Sequence, residues 1–243
     1  MIEILKWTPI DPLNQIGFCA GVCWDAPTSD VEKNIKRAKN CIKSNHGRTE
    51  EFPDVYVVLD EYSARVFREF YTHIIGTTRL QSSTRYVDAK TMDPENDFFI
   101  PSKFSPAQKL ALINGYQEIM RTYATLEELG AAKEDAANIL PLGMNSKVVA
   151  KINMRALEHM AHKRCCNRAY HEFRKLMGEF IDTLKKYSDE WKWICETLLV
   201  PECKALGYCP EVKGCGMEIS KEEALKAIKY WKEHKSKIED DGK

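Results

Sequence analysis

The run Pro53-Asp54-Val55-Tyr56-Val57-Val58-Leu59 settles the class of fold. From Val55 to Leu59 it is an unbroken series of β-branched, aromatic and aliphatic residues behind a proline, the composition of a buried strand. Before it, Ser29-Asp30-Val31-Glu32 has the pattern of a capping box with Ser29 as the cap. Val31, Ile35, Ala38 and Ile42 then recur at helical spacing up to Ser44, until Asn45-His46-Gly47-Arg48 ends the helix. After the run, residues 62–73 read as helix again. A buried strand between helices, in a chain with few other strands, points to an α/β or α+β fold.

Further out, residues 76–86 (Gly-Thr-Thr-Arg-Leu-Gln-Ser-Ser-Thr-Arg-Tyr) are polar, without periodicity, and read as a loop. Ser105, Pro106 and Gln108 open a long helix that runs to about Leu129 and stops at Gly130. A short helix from Lys133 ends before Pro141. Residues 154–187 are the most regular stretch, with Leu157, Met160, Phe173, Leu176, Phe180 and Leu184 at helical spacing, and read as two helices or one bent helix. The tail carries cysteines among prolines and glycines and ends in a helix opened by Ser220 and Glu223, with residues 238–243 expected to fray. These signals divide the chain into a main domain, 1–190, and a Cys-containing helical extension, 191–243.

Composition narrows the functions. Of 243 residues, 44% are hydrophobic and 30% charged, an ordinary globular balance. Lys+Arg and Asp+Glu both number 36, so there is no basic excess to draw the chain to nucleic acid or an anionic membrane, and neither is expected as a partner. No apolar run approaches the roughly 18–20 residues that span a bilayer, and residues 1–9 have no leader pattern, so a cytoplasmic location is expected. In that reducing compartment the nine cysteines read as thiols before metal ligands, and as disulfides last.

Two segments can hold an anion. Arg79, Gln81, Ser82, Ser83, Thr84 and Arg85 supply guanidinium forks and hydroxyl donors within seven positions, suited to phosphate; they equally suit a solvated turn with Arg85 in a surface ion pair. Asn153, Arg155, His159, His162, Lys163 and Arg164 place a basic stripe beside an apolar one, suited to a buried anion or to a solvated amphipathic helix. His159, His162, Cys165 and Cys166 have ligand chemistry, but adjacent cysteines rarely reach one tetrahedral ion. Cys195, Cys203, Cys209 and Cys215, separated by seven, five and five residues, lack the paired spacing of zinc knuckles, so no metal is assigned and free thiols are expected. Neither a nucleophile triad nor a Gly-rich phosphate loop stands out.

Taken in order, these pieces resemble the flavin-dependent thymidylate synthases. Ala20-Gly21-Val22-Cys23-Trp24 and Lys43-Ser44-Asn45-His46 are similar to the first helical segment of that family and the turn that closes it. Leu140-Pro141-Leu142, Asn153-Met154-Arg155 and Arg164 are similar to its C-terminal half, and Ser83, Arg85 and Tyr86 to the second half of its hallmark Arg-His-Arg, seven residues, Ser motif. The first half is replaced by His73, Ile74 and Ile75, an arginine usual before the Leu-Pro-Leu run by Ala136 and Ala137, and a glutamine by Phe70. The likeness spans about residues 15–185.

The resemblance implies helices packed on a central mixed sheet and a homotetramer with shared active sites. It further implies FAD as cofactor, with NADPH and methylenetetrahydrofolate as co-substrates in the conversion of dUMP. Gln81, Ser83, Thr84, Arg85 and Arg164 would meet the nucleotide, with Ser83 and Arg164 closest to the chemistry and Arg164 polarising the uracil ring. His73, Arg79, Asn153, Arg155 and His159 would meet the cofactor. Two other outcomes stay open: a hydroxymethylated product, and a nucleotide-binding homologue without turnover.

Overall fold

The Val55–Leu59 run lies inside a strand whose partner comes from almost a hundred residues away. A computed structural model describes residues 1–240, the side chains of 231 and 233–240 excepted. It forms two compact units, Met1–Ala156 and the chain from Leu157 on.

The first unit holds a four-stranded sheet of order β1-β2-β4-β3, made of β1 (Ile2–Ile4), β2 (Asp54–Ser63), β3 (Thr77–Gln81) and β4 (Asn145–Asn153). Every pairing is antiparallel, so the sheet is not mixed as expected. Its centre is the β2–β4 pair, where Val55 faces Ile152, Val57 faces Ala150 and Leu59 faces Val148, all six side chains buried. Burying one such aliphatic side chain is worth about 1.5–3 kcal/mol, and a one-residue slip would turn all six outward. On the other face Lys151 pairs with Asp54 at 3.0 Å. A bulge between Leu59 and Tyr62 puts Glu61 at φ 65°.

Two of these strands escape a local reading. β3 lies in the segment expected to be loop: Thr77-Thr78-Arg79-Leu80-Gln81 is polar because it is an edge strand with one open side. β4 buries alternate positions, Val148, Ala150 and Ile152, with Val149 and Lys151 on the other face, and becomes a strand by pairing on both sides.

Three helices accompany the sheet: α1 (Pro12–Cys23), α2 (Val31–Lys43) and α3 (Ala64–Phe70). The expected capping serine of α2 is displaced by one: Asp30 caps it, its carboxylate accepting from the Lys33 N–H at 3.1 Å. Helix α1, which the sequence did not reveal, is joined to α2 at Gly17. A Cβ built there would stand 1.9 Å from the Asn34 carbonyl oxygen. Buried Asn34 donates to Asn14 and to the Thr28 carbonyl, and Arg37 donates to the Gly17 carbonyl at 2.8 Å, so the close approach leaves its polar groups paired. Helix α4 (Pro106–Glu128) has the expected Ser105–Gln108 capping box and ends before Gly130, at φ 93°. It buries Tyr116 stacked on Phe98 and Tyr123 against Ala89 and Ala136, the last at the end of the short α5 (Lys133–Ala136).

Helix α6 (Met154–Arg164) carries the boundary between the units. The second unit continues with α7 (His171–Lys185), α8 (Asp189–Thr197), α9 (Glu202–Leu206) and α10 (Lys221–Asp240). Two helices, rather than one bent one, therefore occupy 154–187. Phe173, Leu176, Phe180 and Leu184 form the buried stripe of α7, and α8 buries Trp191, Ile194 and Cys195. Ser220 and Glu223 make the expected reciprocal cap of α10. Of the end expected to fray, α10 extends to Asp240, and 241–243 lie outside the described residues. No described helix is long and apolar enough to cross a membrane.

Gly17→Ala is expected to destabilise the protein by about 1–3 kcal/mol, because backbone must move to admit the methyl group. Gly115→Ala, in α4 with nothing within 4 Å of the new Cβ, should instead stabilise it by about 0.4–1 kcal/mol. Urea unfolding of both variants checks the pair; equal midpoints would refute the close α1–α2 approach.

Candidate functional site

In the first unit, β3 delivers the anion-binding loop. Gln81 donates to Ser146 Oγ at 3.1 Å and the Ser82 N–H to the Lys147 carbonyl at 2.8 Å, so the loop leaves the sheet from a fixed point. Ser83 then organises a turn. Its Oγ accepts from the Arg85 N–H (3.2 Å), and its carbonyl from the Tyr86 and Val87 N–H groups (both 3.0 Å). The Thr84 N–H has no protein acceptor among the described residues. Arg85 is exposed and its Nε meets Glu134 at 2.7 Å.

Ser83 and Thr84 open on a cavity of about 510 Å³ that the sequence did not reveal. Asp60, Glu61, Asp88 and Asp97 line it, and Lys147, its one lysine, is held by Asp60 at 2.6 Å. Backbone hydrogen bonds hold the Asp88 carboxyl below its usual range, through Lys90 first, with Lys133 assisting. Four carboxylates repel an anion, so the phosphate-competent groups are those of the loop itself. The wall comes from the β2 bulge and the start of β4, which no local motif marks.

The residues expected at a cofactor sit differently. Arg79 is committed locally: its guanidinium donates to the carbonyls of Tyr71 (2.7 Å) and His73 (3.1 Å) and to Thr77 Oγ1 (2.8 Å), and lies 4.4 Å from the centre of the Tyr71 ring. The carbonyl of His73 also accepts from Thr77 Oγ1, so this residue serves the turn before β3 with its backbone. Ile74 and Ile75, in hallmark positions, are 70% and 91% exposed. Asn153 caps the first turn of α6, its Oδ1 accepting from the Ala156 N–H at 2.8 Å, and its own N–H donates to the Gly76 carbonyl at 2.9 Å. Gly76 is required at φ 73°, since a Cβ there would come 2.6 Å from Asn153 Oδ1. Arg155 is exposed and donates to Glu51 at 2.6 Å.

In the second unit, His159 and Lys163 are exposed, whereas Leu157, Met160 and Ala161 are buried, so this part of α6 has a solvated polar side. Lys163 meets Glu202 at 2.6 Å. Arg164 is half-buried, its guanidinium 4.7 Å from the centre of the Phe173 ring. It lines a cavity of about 260 Å³ with His162, Arg168 and four cysteines: Cys166, Cys203, Cys209 and Cys215. Burial lowers the pKa of His162, which donates to the Leu198 backbone and leaves Nε2 buried with no hydrogen-bond partner. Burial pushes the Cys165 thiol to about 11 and the Cys195 thiol to about 12, so neither is a nucleophile near neutrality. Cys195, grouped with the tail cysteines by sequence order, lies in α8, and Cys166 takes its place at the cavity.

With this geometry in hand, comparison with known proteins is informative. The profile of the family described as thymidylate synthase complementing protein matches residues 3–188. Flavin-dependent thymidylate synthases of Thermococcus onnurineus and Thermococcus kodakarensis are 33% and 35% identical to this chain over 135 and 136 residues. In those two alignments the chain spans about half the length of the relative, 54%. The enzyme of Pyrococcus horikoshii is 32% identical over 222 residues, covering 86% of this chain and 89% of the relative. The crystal structure of thymidylate synthase X (ThyX) from Helicobacter pylori with FAD and dUMP superposes with a TM-score of 0.66 at 17% identity, over 82% of this chain and 99% of that one. At that identity the likeness is one of fold.

The capping role of Asn153 is open to a direct check. Asn153→Ala should lose about 0.5–2 kcal/mol, whereas Asn153→Ser, an equally good cap, should stay close to the parent. Guanidinium unfolding of both decides it, and a parental midpoint for the alanine variant would remove the cap from the account.

Proposed function

The chain belongs to the thymidylate synthase complementing protein family, and on that premise we propose that it is a flavin-dependent thymidylate synthase. In this reading it converts dUMP to the thymidine nucleotide, with methylenetetrahydrofolate as carbon donor and NADPH as reductant of bound FAD. The observation that carries the reading is the family match over residues 3–188, within which the Ser83–Tyr86 turn and Arg164 both fall.

The residues fit the ligands in kind. Ser83 Oγ, the acceptor-free Thr84 N–H and the Arg85 guanidinium form a fork of donors suited to the nucleotide phosphate. Glu134 occupies Arg85 now, and an incoming dianion outcompetes an exposed carboxylate for it. Arg164, backed by Phe173, offers its planar guanidinium to a uracil carbonyl and stabilises negative charge as it develops on the ring. Arg155 and His159 are exposed donors for the flavin, Arg155 being held by a carboxylate that a phosphate can replace, and the exposed Ile74 and Ile75 offer apolar surface to its ring. Bound there, the flavin supplies the hydride that completes the methyl group. No protein nucleophile is needed, which accords with the raised thiols of Cys165 and Cys195. Assembly into a homotetramer with shared sites is part of the same proposal, supported by exposed Leu80 on edge strand β3.

One observation favours a second reading. Arg79 is consumed by the turn before β3 and His73-Ile74-Ile75 stand where Arg-His-Arg is usual, which suits a nucleotide-binding homologue without turnover. Product analysis separates it, and a hydroxymethylase, from the synthase.

Titration with FAD should quench flavin fluorescence saturably; no binding at high micromolar FAD would overturn the flavin assignment. In calorimetric dUMP titrations, Arg85→Ala and Arg164→Ala should each lose about ten- to a hundredfold in affinity. Lysine should restore more at Arg85, where phosphate accepts a point charge, than at Arg164, where a planar contact is lost. Glu134→Gln should tighten dUMP by up to about fivefold by freeing Arg85. Parental dUMP affinity in both alanine variants would refute the nucleotide site.

A further inference from the structure

The cavity at the end of α6 is walled from two parts of the chain. Arg164 ends α6 and Asn167 stands in the connection that follows it. Facing them, Cys203, Cys209, Cys215 and Met217 come from the extension after α8, beyond residues 3–188 of the family match. Resting on the reading that Arg164 meets a uracil carbonyl, we propose that Asn167 selects uracil over cytosine in this cavity, its side-chain oxygen accepting the N3–H of the base. Met217 and Cys215 of the extension are the positioning residues that hold the amide in that orientation.

The first support is the orientation of the amide. Asn167 Nδ2 donates to Met217 Sδ at 3.0 Å and lies 3.8 Å from Cys215 Sγ. A thioether has lone pairs and no proton, so only the nitrogen side of the amide can bond to it. Oδ1 is thereby turned away from the sulfurs, and no described residue donates to it. Uracil and cytosine differ at the atom that such an oxygen meets. N3 of uracil carries a proton, whereas N3 of cytosine carries only a lone pair. An acceptor held at that edge bonds to the first base and repels the second.

The second support is the size and chemistry of the cavity. Its volume of about 260 Å³ is small beside the roughly 300–1,000 Å³ of pockets for drug-sized ligands, so it takes a single ring and not a flavin. Sulfurs of Cys203, Cys209 and Met217 line it, polarizable groups that pack well against an aromatic ring. Of the cations lining it, Lys163 is held by Glu202 at 2.6 Å and Arg168 by Glu211 at 2.7 Å, so their charges are answered within the wall. The guanidinium of Arg164 lies instead against the Phe173 ring, three residues before Asn167. A donor from Arg164 and an acceptor from Asn167 match the neighbouring carbonyl and N3–H of a uracil edge. Asn167 and Arg168 are exposed, so the cavity is open to solvent on their side.

The third support is how the extension is kept in place. From Pro210 to Ser220 no residue is buried, so no apolar core fixes Met217. Polar ties do so instead. Arg168 donates to the Lys213 carbonyl at 3.1 Å besides meeting Glu211, and the Cys209 N–H donates to the Ile219 carbonyl at 2.7 Å. These ties set the sulfurs against the α6–α7 connection, where the Asn167 amide meets them. The base preference of this chain therefore depends on a segment that lies outside the family match.

Calorimetric titrations of the full chain, with FAD present, compare dUMP, dCMP and N3-methyl-dUMP. The parent should bind dUMP at least about tenfold more tightly than either analogue. Asn167→Leu should weaken dUMP by about three- to tenfold and leave both analogues at parental affinity or tighter. Met217→Leu, which keeps the volume and removes the acceptor, should lower the dUMP to dCMP ratio by about two- to fivefold. Asn167 is exposed, so replacing it disturbs no core, and the N3-methyl probe needs no variant at all. Equal binding of dUMP and N3-methyl-dUMP by the parent, or a parental dUMP to dCMP ratio in Asn167→Leu, would overturn the proposal. Arg164→Ala tells the two readings apart. If it loses dUMP while Asn167→Leu keeps the parental ratio, the uracil reading stands and this inference alone falls. Absence of dUMP binding by the parent sinks both.

Discussion

The antiparallel pairing of β2 with β4 is the contact on which the first unit depends. It sets Val55, Val57 and Leu59 against Ile152, Ala150 and Val148, and so builds one buried face from two segments nearly a hundred residues apart. The same pairing positions what lies at its ends. At one end, β4 passes through Asn153 into α6, and the Gly76 carbonyl is drawn onto the Asn153 N–H. At the other, the bulge at Glu61 and the start of β4 meet the loop that leaves β3, and the cavity beside Ser83 forms between them. A shift of register would therefore remove core and site together.

A second theme is how the cations are kept. Arg85 is held by Glu134, Arg155 by Glu51, Lys163 by Glu202 and Arg168 by Glu211. Such pairs at an exposed surface contribute little to stability, roughly 0.2–1 kcal/mol each, and are easily exchanged for a phosphate. Arg79 is of another kind. Its three acceptors and the ring of Tyr71 lie within the turn it belongs to, so its guanidinium is a structural tie rather than an available charge. Residue type alone does not separate these two conditions; the partner does.

Much of the helical architecture is legible locally, because caps and apolar periodicity act over a few residues. The Ser105–Gln108 box of α4, the Ser220–Glu223 box of α10 and the stripe of α7 from Phe173 to Leu184 all appear where the pattern places them. The cap of α2 is off by one because Asp30 competes with Ser29 for the same N–H groups and a carboxylate accepts them well. For the candidate site, the run of hydroxyls ending in an arginine from Ser83 to Arg85 is visible in the sequence, and so is the ion-paired state of Arg85 as one of its two readings.

By itself, then, the sequence determined most of the helices, though not α1, the strand at Val55–Leu59, a mixed class of helix and sheet and the family, since each of these is written in contiguous residues. Only the tertiary structure decided that residues 77–81 and 145–153 are strands and that the sheet is wholly antiparallel. Only it decided that Cys166, not Cys195, joins Cys203, Cys209 and Cys215 at one cavity. The reason is physical. A helix closes its hydrogen bonds within four residues, whereas a strand or a cluster of thiols takes its partners from anywhere along the chain, and the backbone must be folded before they meet.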